Sequence, residues 1–534
     1  MMQILHNKYF KLLFYILLPL AILGVLGYYE ILKTKILLKE FIAFGAFSLL
    51  IYSLIAIFFS KVNKYIVTIT TLFLSLLVFI KISFYHHYKV RLDASAYYVI
   101  FETNKTESIE FLKFYFDNYV IIISVLLLAL PVLVYFTFGK KETFKITKSL
   151  KLLSFLCICI TSSIIAFKFK KENLIYNSVL SYKEYKEFKK NLKSELANQI
   201  SPFVTVQEIK NKEKETYVVI IGESTSNWHM QLYGYQRETN PLLSEIKEEL
   251  LVFKNVITSN THTIIALDKI LTFSDYQYPN KKNNTSIVQL ANAAGFNTYW
   301  ITNQRPVGLH ESVSTIIGQA ANKFIPLSIG NSNEVSLDEK ILPELKKVLQ
   351  NKEEKKIIFI HLMGTHGVYK YRYPDSFNQF TNSPNNIRLN TSNKAIKLIN
   401  EYDNAITYND YIVRSIIDQI KALEDKSLVI YFSDHGDELY DTIDFVGHNE
   451  YLATKPMYEI PFIVWMSDKY KKENKDSFEF NSYLKRKYIL DDFIHSFSDL
   501  LKIKHNKFDS TRSIFSPNFK FKKRLIKTNI DYDK

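Results

Sequence analysis

The chain of 534 residues has only two cysteines, Cys157 and Cys159, both in one apolar stretch. That is too few for a disulfide framework, which excludes a small stapled secreted scaffold. No cysteine follows residue 159, so whatever folds beyond it must be stable from its core alone. Glycine (14) and proline (13) are scarce, which excludes a collagen-like or low-complexity linker protein. Acidic excess is also lacking: 68 Lys+Arg face 53 Asp+Glu, a net charge of +15. The basic balance could suit nucleic acid, but no compact basic stripe is interleaved with aromatics, so no nucleic-acid partner is expected. Anionic lipid or lipopolysaccharide is the better use of such charge. Aromatics are abundant, with 40 Phe and 36 Tyr. A mean hydropathy close to zero averages two unlike parts.

The first part is membrane-like. Residues 10–29 read FKLLFYILLPLAILGVLGYY, with Lys11 the single charge. Similar stretches follow near 41–59, 65–83, 118–138 and 149–167. Each approaches the roughly 20 apolar residues that span a bilayer. A cleaved signal peptide would explain only the first, and its small-residue cleavage pattern is missing. A buried soluble helix could explain one stretch, not five. Five spans are therefore predicted. Lys8 and Lys11, then Lys61 and Lys64, then Lys140, Lys141, Lys145, Lys148 and Lys151 fall on one side of such a bundle. Taking that side as cytoplasmic puts everything after residue 168 outside the cytoplasm. Lys168, Lys170 and Lys171 oppose this weakly.

Between about 169 and 215 the chain is polar, with Tyr182, Tyr185, Phe188, Leu192, Leu196 and Ile200 at helical spacing. This fits an amphipathic linker helix at a membrane surface or a plain connector. From 216 onward, short β-branched or aromatic runs alternate with amphipathic segments: TYVVIIG (216–222), VFKNVIT (252–258), NTYWIT (297–302), KKIIFIHL (355–362), SLVIYFS (427–433) and PFIVWM (461–466). Continuous apolar strands between helices predict a mostly parallel sheet buried on both faces.

Ligands of open α/β sheets bind beyond the carboxyl ends of the strands. Glu223 follows the first run. Thr258, Ser259, Asn260 and Thr261 follow the second and open an apparent helix. Asn303 and Gln304 follow the third. MGTHG with His366 follows the fourth. Asp434, His435 and Gly436 follow the fifth, with His448 downstream. Carboxylates, imidazoles and a hydroxyl thus gather at one edge, a donor set that suits Zn²⁺. A hydroxyl at a helix N-terminus and on zinc would be a nucleophile at neutral pH. Taken singly, an Asp-His pair or a Thr at a helix start is more often structural. The joint placement carries the reading. His229, His262 and His361 are read as ordinary.

GES…YGYQRETNP (222–241), SNT (259–261), WITNQ (300–304), HLMGTHG (361–367) and SDHGDEL (433–439) make the chain resemble the membrane-bound phosphoethanolamine transferases. The resemblance spans nearly the whole chain. It implies a multi-domain protein of the bacterial inner membrane: a helical transmembrane bundle of five spans (1–168), a linker (169–215) and a periplasmic α/β domain of the alkaline-phosphatase/sulfatase type (216–534). It implies Glu223, Thr261, Asp434 and His435 as ligands of a catalytic zinc, with Thr261 the nucleophile. His366 and His448 would hold a second zinc or the substrate phosphate. Asn303 and Gln304, with Thr103 and Glu107 of the loop ETNKTE (102–107), would contact substrate. Phosphatidylethanolamine is the implied donor, a lipid A, lipopolysaccharide-core or related envelope molecule the acceptor, and a monomer is expected. A phosphoglycerol transferase of the same fold, acting on phosphatidylglycerol, is the competing reading. A sulfatase would need a C/S-x-P-x-R motif, and SNTHTI is not one. The intact polar set argues against a catalytically silent scaffold.

Overall fold

A computed structural model describes the chain apart from residues 1–7, 31–33, 89–90, 93, 104–107, 110–111, 113–115, 138–142, 197–199, 202, 211–212, 277–284, 305–312, 329–335, 385–388 and 528. It divides into two compact units, Met1–Phe101 with Phe111–Lys186, and Glu102–Glu110 with Glu187–Lys534.

The first unit is built from α1 (Lys8–Glu30), α2 (Thr34–Phe58), α3 (Lys64–Tyr88), α4 (Asn118–Thr137) and α5 (Lys148–Phe167). By length and composition α2 to α5 can each cross a membrane, whereas the described apolar stretch of α1, Phe14–Glu30, is shorter. These helices are apolar over most of their surface, as a lipid-embedded helix must be, and the buried Glu40 of α2 is paired with Lys81 of α3. In α4, Ile123 and Leu127 pack inward with Leu74, Val78 and Ile82 of α3, while Ile122 and Val125 on the opposite face are 67% and 63% exposed. The two lysine-bearing loops meet in an antiparallel ribbon of Lys61–Asn63 with Thr143–Lys145. That pairing puts both loops at one end of the bundle, the same-side placement that their charge predicts. A further helix, α6, runs from Leu174 to Leu196.

The second unit is centred on a seven-stranded sheet: β1 (Glu215–Gly222), β2 (Leu250–Val252), β3 (Asn297–Thr302), β4 (Lys323–Pro326), β5 (Lys355–His361), β6 (Lys426–Ser433) and β7 (Phe462–Met466), in the spatial order β2-β7-β6-β1-β5-β3-β4. β6, β1, β5, β3 and β4 run parallel, and β7 is antiparallel to both β6 and β2. All eight residues of β1 are buried, which is why its sequence is a continuous run rather than an alternation. The register levels the strand ends: Gly222 lies opposite Ser433, Ile221 opposite His361, and His361 opposite Thr302. The residues that leave β1, β3, β5 and β6 therefore emerge side by side. The long helix α8 (Asn393–Lys421) covers one face and buries Tyr402, Ile406, Val413 and Ile417 against the sheet; each such side chain contributes about 1.5–3 kcal/mol. A short helix, α7 (Thr263–Ile270), enters the same carboxyl edge.

Candidate active site

Glu223 is the first residue beyond β1, and Asp434 and His435 are the first two beyond β6. All three are buried, and their ligand-type atoms lie within 4.8 Å of one another. His435 Nε2 is 3.3 Å from Glu223 Oε1 and 3.5 Å from Asp434 Oδ2. Asp434 Oδ1 accepts from Ser224 N (3.1 Å) and His435 N (2.8 Å). Asp434 Oδ2 is buried and accepts no hydrogen bond. An orphaned carboxylate oxygen is costly unless something absent from the chain completes it.

The loops are shaped to hold this set. Ser224 has a left-handed φ of +58°, costly for a residue with a Cβ. Tyr402 of α8 fixes it by donating to Ser224 O (2.7 Å) and accepting from Ser226 N (2.8 Å). Gly364 in the turn after β5 has φ +55°, and a Cβ there would stand 2.7 Å from Glu223 O and 2.8 Å from Glu223 N. Only glycine lets that turn close on the Glu223 backbone. Gly436 meets the same limit, since its Cβ would lie 2.3 Å from Pro456 O.

The hydroxyl in this cluster is not that of Thr261. Thr263 Oγ1 donates to Glu223 Oε1 (2.8 Å) and lies 3.4 Å from His435 Nε2. Thr261 Oγ1 instead donates to Glu450 Oε2 (3.2 Å), which also accepts from Thr261 N (2.8 Å). The reason is the helix start. α7 begins at Thr263, after His262 in extended backbone, so the first-turn hydroxyl belongs to Thr263 and Thr261 lies in the loop before it.

Electrostatics set the cluster apart. Burial, and then the charge of Glu223, push Asp434 up to about 7. Burial alone would lower His435, but Asp434 and Glu223 outweigh it and raise the imidazole to about 10. Two carboxylates and one imidazole with no lysine or arginine beside them among the described residues favour a divalent ion. The spacings agree, because ligand bonds of about 2.0–2.1 Å put tetrahedral neighbours about 3.3–3.4 Å apart. Glu223, Asp434, His435 and Thr263 thus fit a zinc-type ion.

His448 flanks this set, its ring centroid 4.1 Å from that of His435. Its Nδ1 is 2.7 Å from Asp437 Oδ1, and Tyr369 donates to Asp437 Oδ2 (2.7 Å). His435, Asp437 and His448 make a second group with metal-ligand spacing. His366 has a buried Nδ1 without a partner. Burial, and then the charge of Arg372, hold it down at about 3, so it is a neutral imidazole. His262 packs edge-on against His448 at 5.1 Å. His361 is a core residue beside Trp300, lowered to about 4 by burial.

The structure gives Asn303 and Gln304 supporting contacts. Asn303 donates to Asp338 Oδ1 (2.8 Å) and Ser336 O (3.2 Å) and accepts from Ser328 (3.0 Å) and Ser336 (2.6 Å). Asp338 in turn accepts from Met363 N and Gly364 N, so Asn303 braces the turn that carries His366. Gln304 donates to Leu362 O (2.9 Å) in the same turn. Thr103 is half-buried in the segment that groups with the second unit; Glu107 lies outside the described residues. Thr263, Asp437 and Glu450 are additions to the sequence reading. Thr263 could have been found by placing the helix start two residues later, where the apolar periodicity of α7 begins.

Residues 215–503 match the Sulfatase family. Phosphoethanolamine transferase EptC of Escherichia coli K12 is 32% identical over 481 residues, covering 84% of this chain and 83% of its own length. Phosphoethanolamine transferase CptA of Salmonella typhimurium is 31% identical over 483 residues, covering 85% and 83%. A crystal structure of the C-terminal periplasmic domain of E. coli EptC, in complex with zinc, aligns at 34% identity with a TM-score of 0.60, over 62% of this chain and 97% of that one. The integral membrane lipooligosaccharide phosphoethanolamine transferase A of Neisseria meningitidis shares the fold over 95% of this chain and 97% of its own, with a TM-score of 0.69 at 20% identity. With a membrane-type helical unit ahead of a sulfatase-type sheet whose strand ends gather carboxylates, imidazoles and a threonine, the chain belongs to the phosphoethanolamine transferases.

Proposed function

We propose that this enzyme takes phosphoethanolamine from phosphatidylethanolamine and passes it, through a covalent intermediate on Thr263, to lipid A, a lipopolysaccharide core sugar or a related envelope acceptor. The observation that carries the reading is the Thr263 hydroxyl at the first turn of α7, 2.8 Å from Glu223 Oε1 and 3.4 Å from His435 Nε2. A zinc ion held by Glu223, Asp434, His435 and Thr263 would lower the hydroxyl's pKa and offset charge on the phosphoryl oxygens. The α7 N-terminus adds positive potential at the same oxygen. Thr263 Oγ1 bonds to phosphorus and the bond to the diacylglycerol oxygen breaks; an acceptor oxygen then displaces Thr263. His366 and His448 face the transferring group, and Asp437 fixes the tautomer and tilt of His448. The membrane unit keeps the enzyme where the donor lipid is, at the inner membrane with the catalytic unit in the periplasm.

Intact-protein mass spectrometry after incubation with phosphatidylethanolamine tests this. Wild type should gain one phosphoethanolamine and release diacylglycerol. Thr263→Ala should gain nothing, while Thr261→Ala should still be modified. Modification of Thr263→Ala and not of Thr261→Ala would move the nucleophile back to Thr261. If folded, zinc-loaded wild type gained nothing, the donor assignment would be wrong, and phosphatidylglycerol is the next donor to try.

A further inference from the structure

α1, α3 and α4 bring a further set of metal-type donors together, at the end of the first unit away from the lysine-loop ribbon. The ribbon adjoins the start of α3, and the donors lie in its last turn, about 33 Å further along at 1.5 Å per residue. His86 and His87 belong to that turn. Glu30 is the last residue of α1, and Asp117 immediately precedes α4, capping it by accepting from Val120 N (3.0 Å). His86 Nδ1 is 3.2 Å from Glu30 Oε1, and His86 Nε2 is 3.3 Å from Asp117 Oδ2. The ligand-type atoms of His86, His87 and Asp117 all lie within 4.8 Å of one another. The Tyr119 ring stacks on His86 at 3.9 Å and 20°, fixing the imidazole plane. The Glu30 side chain is 8% exposed.

Glu30 lies behind Nδ1 of His86, and Nε2 faces an Asp117 oxygen at 3.3 Å. That separation is again the edge of a tetrahedron with ligand bonds of about 2.0 Å. His87 leaves the helix about 100° round from His86, yet its ring centroid is only 4.9 Å away. A carboxylate behind one ring nitrogen with a metal at the other is the usual way a protein orients a histidine ligand.

We propose that this cluster is a zinc-type divalent metal site of the membrane unit, separate in all its residues from the catalytic set. His86 Nε2, a ring nitrogen of His87 and an Asp117 oxygen are the ligands, Glu30 orients His86, and the fourth position is open to water. The ion ties the end of α3 to the start of α4, and through Glu30 to the end of α1.

Full-length protein in detergent, stripped with chelator and reloaded with Zn²⁺ alone, tests this by metal content per chain. Wild type should hold one zinc more than His86→Ala/His87→Ala. Glu30→Gln should bind that zinc about 10–100-fold more weakly. Glu223→Ala/His435→Ala should lose catalytic zinc yet, loaded with Co²⁺, still show the visible absorption of tetrahedral cobalt. Adding His87→Ala to that protein should abolish the band, a readout that does not depend on the His86 variant folding. Equal zinc in wild type and His86→Ala/His87→Ala, or no cobalt band in Glu223→Ala/His435→Ala, would overturn the proposal and leave His86 hydrogen-bonded between two carboxylates.

Discussion

His229 and His435 are each buried against two carboxylates, but among the described residues only the first cluster is also closed by an arginine. His229 Nδ1 is 2.6 Å from Asp403 Oδ1, and its Nε2 is 3.2 Å from Asp441 Oδ2. The other Asp403 oxygen receives Arg237 (2.7 Å) and the Tyr235 hydroxyl (2.9 Å). Arg237 goes on to Asn400 (2.8 Å) and Asn382 O (2.6 Å). Two cations meet two anions, and both Asp403 oxygens are used. Around His435 no arginine closes the set among the described residues, and Asp434 Oδ2 accepts no hydrogen bond. One residue chemistry therefore gives two outcomes. With Arg237 it is a lock that ties the segment after β1 to α8; without one it is a set whose spacing fits an ion. The stretch 222–241 builds both, Glu223 for the open cluster and His229, Tyr235 and Arg237 for the closed one.

Removing one carboxylate from each cluster should therefore have opposite effects on stability. Asp434→Asn takes charge from a frustrated set, and its amide can donate toward Glu223. It should lower phosphoethanolamine transfer by on the order of 10³-fold while raising the melting temperature of chelator-treated protein. Asp403→Asn leaves Arg237 and His229 underpaired in a buried site and should cost about 3–5 kcal/mol, read as a lower melting temperature with or without zinc. If both variants melt lower by the same amount after chelation, the contrast between an open and a closed cluster is wrong.

The closed cluster also predicts a pH dependence. Burial opposes the charge on His229, but Asp441 and Asp403 outweigh it and raise the imidazole to about 10. In the unfolded chain a histidine titrates near about 6.5. The stabilisation is complete below that value, declines as pH rises above it, and is lost beyond about 10. Thermal unfolding across this window should show that decline in wild type and a much flatter profile in Asp403→Asn.

The large features were legible because they depend on composition over many residues. Apolar runs mark the spanning helices, and uninterrupted β-branched runs mark β1, β5 and β6. Strand ends are legible too, so the sequence places Glu223, Asp434 and His435 at one edge. What failed was local register. Thr258, Ser259, Asn260, Thr261 and Thr263 all have the chemistry of a helix start, and sequence alone put the hydroxyl two residues early. Asn303 was hidden differently: its position at a strand end suggests an outward donor, whereas partners at Ser328, Ser336 and Asp338 turn it inward. Those contacts are 25 to 35 residues away in the chain, beyond what periodicity can reveal. Asp437 and Glu450 escaped for the same reason, since neither has a signal until His448 and Thr261 are seen beside them.

The smallest effect should come from Glu450, and it separates the two threonines. Glu450 is half-buried, and desolvation raises its carboxyl above the ordinary range. It accepts both the backbone N–H and the hydroxyl of Thr261, and Tyr458 lies 3.3 Å from its other oxygen. It therefore holds the loop from which α7 springs without touching Thr263. Glu450→Gln keeps a carbonyl for Thr261, and its amide can donate to the Tyr458 hydroxyl. The change weakens charge-assisted bonds by about 1 kcal/mol, which corresponds to roughly a fivefold to tenfold slower transfer if the loop's position is what matters. Zinc content should stay at the wild-type value, and Thr261→Val should behave similarly. Were either variant as inactive as Thr263→Ala with its zinc retained, the loop threonine would have to act on the phosphoryl group itself, and the division of labour between Thr261 and Thr263 would fall.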